Sequence, residues 1–66
     1  MVQEEMINEI VSFVGQHHES TASIAVCQRI LGTYPGEIDQ EVLDTLQDKL
    51  QVADPEEVES LYYIIK

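Results

Sequence analysis

The stretch from Ile38 to Ile65, IDQEVLDTLQDKLQVADPEEVESLYYII, decides the fold because it contains two complete helix starts. Asp39 is placed to cap free backbone N–H groups, and Ile38 just before it can staple onto Leu43. Val42, Leu43, Leu46 and Leu50 follow at three- and four-residue spacing, the period of an amphipathic helix. Asp54-Pro55-Glu56-Glu57 opens the second. Asp54 caps, Pro55 occupies the first turn where no N–H is missed, and Glu57 can close a capping box. Val58, Leu61, Tyr62 and Ile65 then form a stripe, with Tyr63 and Ile64 outside it. This last helix is therefore apolar over much of its circumference, and with no C-cap glycine it is expected to pack against something else or to belong to a longer chain.

Two more helices precede these. Met6, Ile7, Ile10, Val11 and Val14 recur with helical spacing between about Gln3 and Gln16, with Glu4 and Glu5 in the first turn where acids favour the macrodipole. Gly15 and the polar tract 16–20 loosen that pattern. A second helix is predicted to start after Ser20 or Thr21, to place Ile24, Cys27, Ile30 and Leu31 on one face with Val26 beside them, and to close at Gly32. Pro35-Gly36 reads as a tight turn. The connections are short and no strand pattern is found, so residues 1–66 are expected to form one all-α domain, a compact bundle of about four short helices.

At 66 residues the chain lies near the lower limit of what one core can stabilise, with no room for a second domain and little for an enclosed active site. Its charge is lopsided. Thirteen Asp and Glu face only Arg29, Lys49 and Lys66, a formal net charge of -10. Such a surface repels phosphate and anionic lipid, which disfavours direct nucleic-acid or membrane binding and favours basic proteins. The longest apolar run is Leu61 to Ile65, too short to span a bilayer. Glu4 and Glu5 stand where a signal peptide would be basic, and Cys27 is the one cysteine, so a reducing, cytoplasmic setting is expected.

The residues capable of chemistry have simpler readings. His17 and His18 point about 100° apart on a helix and lack further ligands, so a solvated helix end is expected rather than a metal site. Cys27 lies on an apolar stripe with no glycine-rich oxyanion loop, and reads as a small core residue. Ser20 and Thr21 read as caps. Glu37, Asp39, Glu41, Asp44 and Asp48 lack the alternation of a calcium loop and read as a solvated face, or else as a docking surface for a cationic protein. No catalytic, cofactor-binding or metal-ligating residue is expected, and Arg29 is expected to pair with a neighbouring acid.

The stretch from Ile24 to Ile65 resembles the N-terminal helical region of the small thioredoxin-like 2Fe–2S subunit of NADH dehydrogenases and of NAD-linked and electron-bifurcating hydrogenases. The resemblance rests on Val26, Gln28, Gly32, Tyr34 and Pro35, then Leu43, Leu46, Leu50 and Pro55, and finally Val58, Leu61, Tyr62 and Tyr63. The tyrosine stands one place later than usual in the Gly32 to Pro35 turn, and the loop before the third helix is longer. The four cluster-binding cysteines have no counterparts, so no electron-transfer chemistry carries over to any residue. What the resemblance implies is a helical piece that docks on a larger flavin- and NADH-binding subunit.

The resulting expectation is a non-enzymatic protein–protein interaction module, an accessory or docking piece of an NADH- and flavin-dependent redox complex. Its contact surface is expected on the last helix, at Leu61, Tyr62, Tyr63, Ile64 and Ile65, together with the Tyr34-Pro35 turn. The competing expectation is a free-standing acidic regulator or inhibitor of a basic or nucleic-acid-binding protein.

Overall fold

The computed structural model describes residues 2–34 and 36–66, and within them the chain is an all-α bundle. Four helices follow one another: α1 (Gln3–Gln16), α2 (Thr21–Leu31), α3 (Gln40–Val52) and α4 (Pro55–Ile65). No strand occurs among the described residues. The radius of gyration, 10.3 Å, is close to the roughly 11 Å expected for a compact chain of this length.

Local chemistry accounts for the helix boundaries. The Ser20 hydroxyl accepts a bond from the Ala22 N–H at 3.2 Å, and the Asp39 carboxylate accepts one from the Val42 N–H at 3.0 Å. Gly32 closes α2 at φ 86°, its N–H donating to the Gln28 carbonyl at 3.1 Å, a conformation that favours a residue without Cβ. The expected capping box at α4 does not form. Asp54 makes no side-chain cap bond, and the Glu57 carboxylate instead lies 3.4 Å from the Arg29 guanidinium on α2. That pair ties the last turn of one helix to the first turn of another, and it is the partner expected for Arg29.

The core is continuous. Met6, Ile7, Ile10 and Val14 of α1 meet Val26 and Cys27 of α2, Leu46 and Leu50 of α3, and Val58 and Leu61 of α4, with Ile38 from the loop before α3. Helix α1 touches all three other helices and packs most extensively against α4. Gly15 lies against α3, where an added Cβ would come within 3.3 Å of a Leu43 methyl.

Helix α2 is rotated from the expected face. Ser23, Val26 and Cys27 are its buried residues, while Ile24 is only half-buried. Two small side chains one turn apart, Ser23 and Cys27, thus lie with Val26 on the buried side of the helix.

Candidate partner-binding surface

The residues expected to form a contact surface separate into three groups. Leu61 is fully enclosed and lies in the core, so its expected place on a contact surface is corrected. Tyr34, Tyr62 and Ile65 are half-buried and pack against that core. Tyr63 and Ile64 are exposed, at 67% and 37% of their areas, on a helix whose inner side is already filled by Val58 and Leu61. Pro35 lies outside the described residues.

Around Tyr63 the side chains form a connected strip. The rings of Tyr63 and Tyr62 meet edge to face with centroids 5.8 Å apart. The Lys66 ammonium sits 5.2 Å above the Tyr62 ring and donates a long, 3.4 Å bond to Glu9 Oε1 on α1. Glu9 Oε2 has no hydrogen-bond partner among the described residues. Beyond Glu9 the seam between α1 and α4 opens into a groove of about 330 Å³, walled by Phe13 and Ile65 with Asn8 and Ser12 along its edge. Sequence periodicity did not single out Glu9, Ser12 and Phe13. Phe13 precedes the buried Val14 by one position, which puts it at the side of the α1 stripe.

The groups that could have suggested chemistry are placed as packing requires. His17 is exposed and tilts against Phe13 with ring centroids 4.7 Å apart. No cluster of three or more metal-ligating side chains occurs among the described residues. Cys27 is fully enclosed, and burial pushes its thiol above the ordinary range. Acidic Asp44 and Asp48 are exposed on α3, with Gln40 donating to Asp44 Oδ1 at 2.9 Å.

The resolved titration shifts share one sign. Burial first, then Glu9, raises the Tyr62 phenol, and the neighbouring Tyr62 hydroxyl and Glu9 carboxylate raise the Lys66 ammonium. With Cys27 raised too, each folded-state value exceeds its unfolded one. Each contribution is complete below the unfolded value and is lost as pH rises through the folded value. Stability is therefore expected to decline progressively above about pH 8.5, where the unfolded thiol begins to ionise. Urea midpoints measured by circular dichroism from pH 7 to 11 check this. A midpoint that is constant or rising over that range contradicts it.

No protein-family model, no curated protein and no solved structure matches the chain. No described helix is long and apolar enough to cross a membrane.

Proposed function

We propose that this chain is a non-catalytic helical interaction module that docks on a larger protein through the outward side of α4, centred on Tyr63 and Ile64. The observation that carries the reading is the exposure of these two large side chains beside a core that is complete without them. A tyrosine held on a rigid helix offers a broad apolar area at little entropic cost, together with a polar tip, which is why tyrosine is enriched at binding hot spots. The resemblance of residues 24–65 to the helical part of a redox-complex subunit supplies the partner class: a flavin- and NADH-binding subunit, on which this chain is an accessory docking piece.

The test is a pull-down from the native source at moderate salt, with wild type and Tyr63→Ala side by side and captured proteins identified by mass spectrometry. A flavin- or iron–sulfur-containing subunit retained by wild type and depleted about tenfold or more by Tyr63→Ala is the expected result. The competing reading, an acidic regulator of a basic protein, draws on the charge of -10 and the exposed Asp44 and Asp48. It requires a basic protein that is released by Asp44→Asn with Asp48→Asn and lost steeply with salt, while Tyr63→Ala has no effect.

A further inference from the structure

We draw no further inference here: the strongest candidate, the exposed patch of Tyr63 and Ile64 on α4 beside the α1–α4 groove, belongs to the surface already described, and nothing in the structure shows what covers it.

Discussion

Leu61→Ala is expected to unfold the protein, whereas Tyr63→Ala, two residues further on, is expected to leave its stability within about 0.5 kcal/mol. Leu61 is fully enclosed in the core, and removing a buried leucine side chain costs about 2–5 kcal/mol through lost burial and the cavity left behind. A bundle of this size has only about 3–5 kcal/mol of net stability to lose. Tyr63 is 67% exposed, so its truncation opens no cavity. Far-UV circular dichroism and urea unfolding separate the two cases. If Leu61→Ala still melted cooperatively with less than about 1 kcal/mol lost, the packing of α4 described above would be wrong. The contrast also keeps binding experiments interpretable, because a Tyr63 variant that fails to bind does so while folded.

Salt is expected to stabilise the fold by about 1–2 kcal/mol between 10 mM and 0.5 M sodium chloride, raising Tm by roughly 5–15 °C. The molecule measures 29 × 21 × 17 Å. At 10 mM the screening length is about 30 Å, so its excess carboxylates repel one another across the whole structure, at about 0.3 kcal/mol for a pair 15 Å apart in water. Near 0.5 M that length shrinks to a few ångströms and the repulsion vanishes. Two attractive contacts are screened at the same time, Arg29 with Glu57 and Lys66 with Glu9, both at 3.4 Å and partly exposed. Exposed pairs of this kind are worth about 0–1 kcal/mol each, too little to offset repulsion shared among so many like charges. Thermal melts at graded salt settle the sign, and a Tm that falls between 10 mM and 0.5 M would show that local ion pairs outweigh the net charge.

Features set by neighbouring residues could be read from the sequence. Asp39 and Ser20 cap their helices as their positions suggest, Gly32 takes the left-handed C-cap, and the stripes of α1 and α4 face inward. Features that depend on which helix lies beside which could not. Glu57 looks like half of a capping box until α2 brings Arg29 to it. Ser23 is polar, and periodicity favours Ile24, yet the way α2 is turned on its neighbours buries Ser23 and leaves Ile24 half-buried. The same limit applies to the candidate surface. Tyr63 and Ile64 fall outside the stripe by spacing alone, but Glu9 and Phe13 join Ile65 only because α4 folds back along α1.

That fold-back has a consequence for how the protein is made. The most extensive helix pairing joins α1 to α4, the two helices furthest apart along these residues. During translation the stripe of Ile7, Ile10 and Val14 can meet α2 and α3 first, but its cover is complete only when Val58 and Leu61 have been added. The α1–α4 pairing therefore waits for α4, and the loop that closes it takes in most of the residues between them, which slows the search for those contacts. In the meantime the nascent chain presents an apolar helix to its surroundings, the state in which aggregation competes with folding. Its many carboxylates then act in a second capacity, keeping unfinished copies apart from one another.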